Sequence, residues 1–299
     1  MNDHIETSTS GKSMAAPPPL FDPNLARLRL KRLRRSDLAT FLHEEAADVI
    51  KERLEEVNRP FPDRCIVTSQ IAPWQESGIA DQVIEASDVL DLEVAGLDLV
   101  VHGLCLHNFN DAVGQLVQCR RALSEDGLCL AVLFGGQTLH ELRASFAQAE
   151  IEIRGGISPR VHPMGEIRDL GALLQRAGFA LPVADSLTIN TTYKSVLHLM
   201  HELRAMAETN VLSQQDRRFL RRDVLARTSE IYVDTFGMSD GRVPATFELV
   251  FLTGWAPADN QQKPLRPGSA AARLADALGT AEVSAGETAS VHPNSKSDD

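Results

Sequence analysis

His107 is the side chain with the clearest claim to chemistry. It follows the apolar run Asp98-Leu99-Val100-Val101 by a few residues. Open α/β sheets bind ligands in the crevice outside the carboxyl ends of their strands, so an imidazole there can act as a base or a hydrogen-bond donor. As a helix-entry histidine it would instead hold a structural partner. His102, Gly103 and Leu104 end the same run and could wall that crevice, although His102 could also simply point into solvent. Gly135-Gly136 has two readings as well: bare backbone facing a substrate, or a turn that needs positive φ. The segment Arg154-Gly155-Gly156-Ile157-Ser158-Pro159-Arg160 could close basic residues, Arg160 among them, over an acidic or peptide substrate, or be a structured surface loop. Glu141 and Arg143 read as pairing with each other or with neighbours on an exposed helix face rather than as contacts to substrate, and Trp255 as a core residue at the end of a strand.

The elements that must position these residues alternate. Apolar spacing over residues 24–57 predicts one long or two consecutive helices. Strands are predicted at Cys65–Thr68, Val83–Ala86, Leu97–Val101 and Leu128–Phe134, the last fed by a turn over residues 123–127. Ala112–Leu123 has helical spacing with Asp111 as its N-cap. A strand, helix, strand order with crossovers of this length implies parallel pairing in a right-handed βαβ unit. Further helices are predicted at Thr138–Ile153, at Ile167–Ala177 with Gly178 as C-cap, at Val196–Met206 and at Arg217–Asp234. Strands are predicted at Val183–Asn190 and Thr246–Thr253. The fold class is α/β, one sheet with helices on both faces. The expected organisation is a disordered leader over 1–19, a helical segment over 20–62, the α/β domain over 63–258 and a mostly disordered tail over 259–299 with one short helix around 270–277.

Composition excludes several classes. The 299-residue chain is 43% hydrophobic, enough for a substantial core, and its formal net charge of -11 argues against a dedicated nucleic-acid binder. Its local positive run (Arg27, Arg29, Lys31, Arg32, Arg34, Arg35) reads as a solvated helix face rather than a phosphate or membrane site. Cys65, Cys105, Cys119 and Cys129 lack metal-site spacing, so they read as small core residues of a reducing compartment, and no metal is expected. No apolar run is long enough to span a membrane and no signal-peptide core is present, so no membrane insertion is expected.

The run Asp98-Leu99-Val100-Val101-His102-Gly103-Leu104-Cys105-Leu106-His107 with Asn108-Phe109-Asn110-Asp111 resembles the fourth strand and following loop of class I S-adenosylmethionine-dependent methyltransferases. Leu123-Ser124-Glu125-Asp126-Gly127-Leu128 is similar to their turn before strand five. Phe134 to Arg143, Ala149-Glu150, Gly155 to Arg160 and Asp169 to Phe179 resemble a narrower group: the complex I assembly factor 5 proteins and alphaproteobacterial relatives, beside the biotin-pathway malonyl-carrier methyltransferases. Leu20-Phe21-Asp22, Gly241 to Phe247, Gly254-Trp255 and Gln261 to Pro264 fit the same group.

That resemblance implies a Rossmann-like sheet, S-adenosylmethionine as cofactor, and a protein side chain or carrier-bound acyl group as substrate. It also implies a complex I subunit as partner, with arginine hydroxylation as an alternative to methyl transfer. The implied location is the bacterial cytoplasm or the mitochondrial matrix. A catalytically inactive assembly factor is the alternative reading. The departures lie upstream. Where the family's strand one opens into G-x-G-x-G, this chain has Cys65-Ile66-Val67-Thr68-Ser69-Gln70-Ile71-Ala72-Pro73-Trp74, without a glycine. Strand two and its flanking helix are expected to be deleted or reduced, leaving a contracted first half. The family's acid near the adenine amino group aligns on Ala86, with Asp88 as its nearest replacement, and Glu76 or Glu85 could stand in at the ribose.

Overall fold

A computed structural model describes residues 19–33 and 38–261. The expectations for the leader up to residue 18, for Arg34 and Arg35, and for the tail beyond residue 261 lie outside the described residues. Described residues up to Ala258 belong to one compact unit, and of the remainder only 259–261 are described.

A six-stranded sheet organises the chain, in the order β2-β1-β3-β4-β6-β5. Strands β1 (Arg64–Thr68), β2 (Gln82–Glu85), β3 (Leu97–Gly103) and β4 (Leu123–Phe134) are parallel. The long β5 (Ala180–Tyr193) and β6 (Val243–Trp255) close the sheet antiparallel, with β6 between β4 and β5. Between β1 and β3 the chain supplies β2 alone, and β2 pairs directly with β1, placing Glu85 beside Thr68. The upstream half therefore has one strand beyond β1, and the sheet ends there. The residues read as a turn before Leu128 already belong to β4. Leu97 pairs with Leu123 and Leu99 with Leu128, so the extra residues form a bulge, helped by the left-handed φ of 59° at Asp126.

Helices cover both faces because alternate strand residues point to opposite sides. On one face Leu99, Val101, Leu130, Val132 and Phe134 pack with α2 (Phe41–Val57), α5 (His140–Arg154) and α7 (Val196–Ala205), and with Tyr232 of α8 (Arg222–Phe236). On the other, Cys65, Val100, Cys129 and Ala131 pack beneath Leu116 and Cys119 of α4 (Ala112–Ala122) and Leu170 and Leu174 of α6 (Ile167–Ala177). All four cysteines are free and buried, Cys65, Cys119 and Cys129 under this second face. The first helices are two, α1 (Pro23–Leu33) and α2.

Local signals act where the sequence placed them. The Asp111 carboxylate accepts from the Gly114 amide at 2.7 Å and starts α4, and Gly178, at φ 83°, ends α6. Two expectations need correction. The helix read from Arg217 begins at Arg222, because the Asp216 carboxylate takes the Arg218 amide at 3.0 Å in a local turn. A short helix that periodicity missed, α3 (Ile71–Glu76), stands where the glycine loop would be.

Candidate functional site

Strands β1 to β4 all end on one edge of the sheet, and the candidate site is built there. After β3 the backbone turns through Leu104 in the left-handed region, φ 48°, while its amide donates to the Val132 carbonyl at 3.0 Å. A non-glycine residue adopts that conformation only where its surroundings enforce it. The turn runs into a short 3-10 stretch, Leu106–Asn108, that delivers His107 inward.

His107 is buried, its ring centroid 4.8 Å from that of Phe134. Its Nε2 lies 3.3 Å from Glu208 Oε2 and 3.0 Å from the Asn108 amide nitrogen, and its Nδ1 is buried without a partner. Glu208 comes from the segment after α7, where Ala207 is left-handed at φ 68°.

Glu208 stands between two cavities. The larger, about 190 Å³, has apolar walls that include Phe134, Leu142, Phe146, Met200 and Phe247, with Glu208 as its acidic residue and Arg160 and Arg204 as its basic ones. The smaller, about 50 Å³, is lined by His43, Ser69, Gln70, Leu104 and Cys105, and shares Asn108, Glu208 and Val211 with the first. Burial holds the neighbouring imidazoles His43 and His162 neutral, each lowered to about 4. Arg29 of the basic run is not a purely solvated residue: it is half-buried, lines the smaller cavity, and donates to Thr209 Oγ1 at 2.5 Å. Among the described residues, no group of three or more His, Cys, Asp or Glu side chains could hold a metal ion.

The residues singled out from sequence are dispersed. His107 lies at the site edge. His102 is sealed on the other face of β3, with Nε2 3.5 Å from Gln115 Oε1 and Nδ1 3.6 Å from Cys105 Sγ, and burial lowers it to about 4. That corrects the reading in which it points into solvent. Leu104 lines the smaller cavity. Asp88 is exposed, and only its backbone carbonyl is held, by Gln115 and Gln118. Glu85 lines a groove of about 450 Å³ beside Gln70 and Pro73 at the ends of β1 and β2. Arg160 lines the larger cavity, but its Nε donates to Glu150 Oε1 at 2.9 Å and its guanidinium also reaches Asp216.

Gly135 and Gly136 lie in the turn between β4 and α5, but neither has the positive φ expected there. Close approach explains them: a Cβ at Gly135 would stand 2.5 Å from a Glu248 carboxylate oxygen, and one at Gly136 2.5 Å from Glu166. The expected exposed pair is absent too, since Glu141 is buried against Thr246 while Arg143 donates to the carbonyls of Gly136 and Thr138. Sequence reasoning missed Glu208, His43 and His162. The first two reach the site from other helical regions, and nothing in their local spacing marks them.

The cofactor that the fold family implies does not fit its usual place. Trp74 of α3 is fully buried, and its indole lies over Gly103. A Cβ on Gly103 would be only 2.5 Å from Trp74 Cε2 and 2.7 Å from Cζ2. The indole N–H donates to His43 Nδ1 at 2.9 Å. The close approach that a glycine grants to a ligand is taken here by the protein's own side chain.

Comparison with known proteins settles the ancestry. No protein-family model matches the chain. It is 32% identical over 262 residues to the arginine-hydroxylase NDUFAF5, mitochondrial, of Danio rerio, covering 79% of this chain and 81% of that protein. The chain belongs to the NDUFAF5 family. The Dictyostelium discoideum NDUFAF5 is 39% identical over 63% of this chain and 43% of its own length. A malonyl-[acyl-carrier protein] O-methyltransferase from Xylella fastidiosa is 33% identical over 54% of this chain and 53% of its own. A solved N-methyltransferase from Haemonchus contortus aligns with 79% of this chain and 53% of its own at 12% identity and a TM-score of 0.35, too distant to argue from. This NDUFAF5-family protein has the methyltransferase-type α/β sheet, and no helix among its described residues is long and apolar enough to cross a membrane.

Proposed function

We propose that this protein receives an arginine side chain of a partner protein in the cavity between Phe134, Phe247 and Glu208. The observation that carries this is a carboxylate at an apolar cavity, its side chain only 17% exposed and its Oε2 3.3 Å from His107 Nε2. Such a carboxylate is stabilised by a cation, and guanidinium suits it best because it is flat, weakly hydrated and forked. The apolar walls would cover the methylene stem, and exclusion of water would strengthen the charge pairing. Relatives such as those of Danio rerio and Dictyostelium discoideum bear the name arginine-hydroxylase, which agrees with this substrate class.

A malonyl carboxylate would meet Glu208 with like charge; of the two arginines that line the cavity, Arg160 is engaged by Glu150 and Asp216, which leaves Arg204 as its cation. By the family resemblance, the partner is a subunit of respiratory complex I, and the location is the bacterial cytoplasm or the mitochondrial matrix. His107 then acts on Glu208, fixing the orientation of the carboxylate. The second reading, an assembly factor that binds without catalysis, is favoured by Trp74 lying over Gly103.

N-acetyl-arginine methylamide and its citrulline counterpart test the proposal by calorimetry and thermal shift. The arginine compound should bind and the uncharged isostere should not, and Glu208→Gln should weaken binding at least about tenfold. Equal binding of both compounds, or an unchanged Glu208→Gln variant, would refute it.

A further inference from the structure

We propose that this protein has exchanged S-adenosylmethionine for a built-in plug, and that the Trp74 indole permanently occupies the place of the cofactor's amino-acid end. Four observations at the ends of β1 and β3 converge. First, the contact at Gly103 is so tight that even one added carbon would collide with the indole. Second, the indole is tied at its polar end: Nε1–H donates to His43 Nδ1, and His43, lowered to about 4, is a neutral acceptor throughout the physiological range. Third, the strand ends are tied across the gap a ligand would open. Thr68 Oγ1 donates to the Gly103 carbonyl at 2.8 Å, and Gln70 Nε2 donates to the Met206 carbonyl at 2.6 Å. Fourth, the cavity that His43 shares with Leu104 at the end of β3 is about 50 Å³, against the roughly 300 Å³ or more of sites for larger ligands.

The sequence change that makes this possible is local. Ile71-Ala72-Pro73-Trp74 folds as a helical turn, with Pro73 and Trp74 buried, in place of a glycine loop whose bare backbone would approach a ligand. Moving the indole aside would expose a large apolar ring, orphan the His43 acceptor and unpack the centre of the larger core cluster, which includes Trp74. The groove of about 450 Å³ beside Glu85 runs along Ser69, Gln70 and Pro73 at the ends of β1 and β2, but neither Trp74 nor Gly103 lines it, so it does not reach the place that the indole fills.

Titration with S-adenosylmethionine and S-adenosylhomocysteine, followed by calorimetry and by melting temperature, decides the matter. A ligand at roughly 100 times its Kd stabilises a native protein enough to raise Tm by several degrees. The full chain should show no heat and no such rise with either compound, under conditions where a malonyl-carrier methyltransferase shows both. Trp74→Gly supplies a positive reading: it should melt at markedly lower temperature and be partly rescued by free indole, which can enter an apolar cavity of its own shape. Micromolar binding of either adenosyl compound to the unmodified protein would overturn the proposal. So would a Trp74→Gly variant that melts like the parent, since the ring would then not be part of the folded structure. Arginine binding is read separately, so failure here and failure of the substrate reading are distinguishable.

Discussion

The two halves of the sheet have treated the same edge in opposite ways. Upstream, β1, α3 and β2 fill the place beside Gly103: a single strand lies beyond β1, a helical turn replaces the loop, an indole lies over Gly103, and the groove that remains runs outside it between Gln70 and Glu85. Downstream, β3, β4 and β6 keep it open, with a cavity of about 190 Å³ whose walls come from Phe134, Phe247 and α7. Leu104 and Ala207, both left-handed, flank the boundary and aim His107 and Glu208 at each other. A fold can thus lose one ligand position by filling it and retain the neighbouring one, because the two are lined by different strands.

The largest expected effect tests the upstream half. Trp74→Ala should cost about 3–5 kcal/mol in denaturant unfolding, as for other large buried rings; a loss under about 1 kcal/mol would mean that the upstream closure is loose. Next, Glu150→Gln tests the strap beside the open half. Glu150 is fully buried and holds Arg154, Arg160 and the Ser158 amide, so weakening that pair should cost about 3 kcal/mol and loosen the loop carrying Arg160. Protease cleavage within 155–160 would report the loosening.

Acidification spans both halves. His43, His102 and His162 titrate at about 4 in the folded protein and near 6.5 when unfolded. Between those values the unfolded chain holds more protons, so stability should be full above pH 6.5 and fall progressively toward pH 4. For fully buried His102 alone the loss is of order 2–3 kcal/mol. His102→Asn should flatten that slope, and an unchanged slope would show that the ring is not held neutral.

A smaller effect belongs to the open half. Glu208→Gln should lower arginine affinity by about 1.4 kcal/mol or more while leaving the melting temperature nearly unchanged. If both fall together, Glu208 is structural and the contrast between the halves weakens. Smallest of all, Asp88→Ala should change stability by less than about 0.5 kcal/mol, because the side chain is exposed and only its carbonyl is bound.

Much of the fold was legible because its signals are local. The Asp98 run, the Asp111 cap and the Gly178 stop each act within a few residues, and they produced β3, α4 and the end of α6 where expected. The contraction between β1 and β3 was legible as missing length. The site was much less so. Glu208 meets His107 from a hundred residues away, and periodicity carries no information about such a pairing. Trp74 was visible as the residue where a glycine loop should be, but its contact with Gly103 depends on how α3 folds. At Gly135 and Gly136 the positive φ read for a turn is not there: carboxylates of Glu248 and Glu166 crowd their Cα atoms, which only three dimensions reveal.

The buried thiols offer a clock for these two halves. Cys65 and Cys105 have their thiol pKa pushed up to about 12 by burial, and Cys119 is raised as well, so none reacts as a thiolate while the protein is closed. Cys65 sits in β1, Cys129 in β4, and Cys105 just past β3. The order in which a thiol reagent reaches them under mild denaturant would therefore time the opening of the plugged side against the open one.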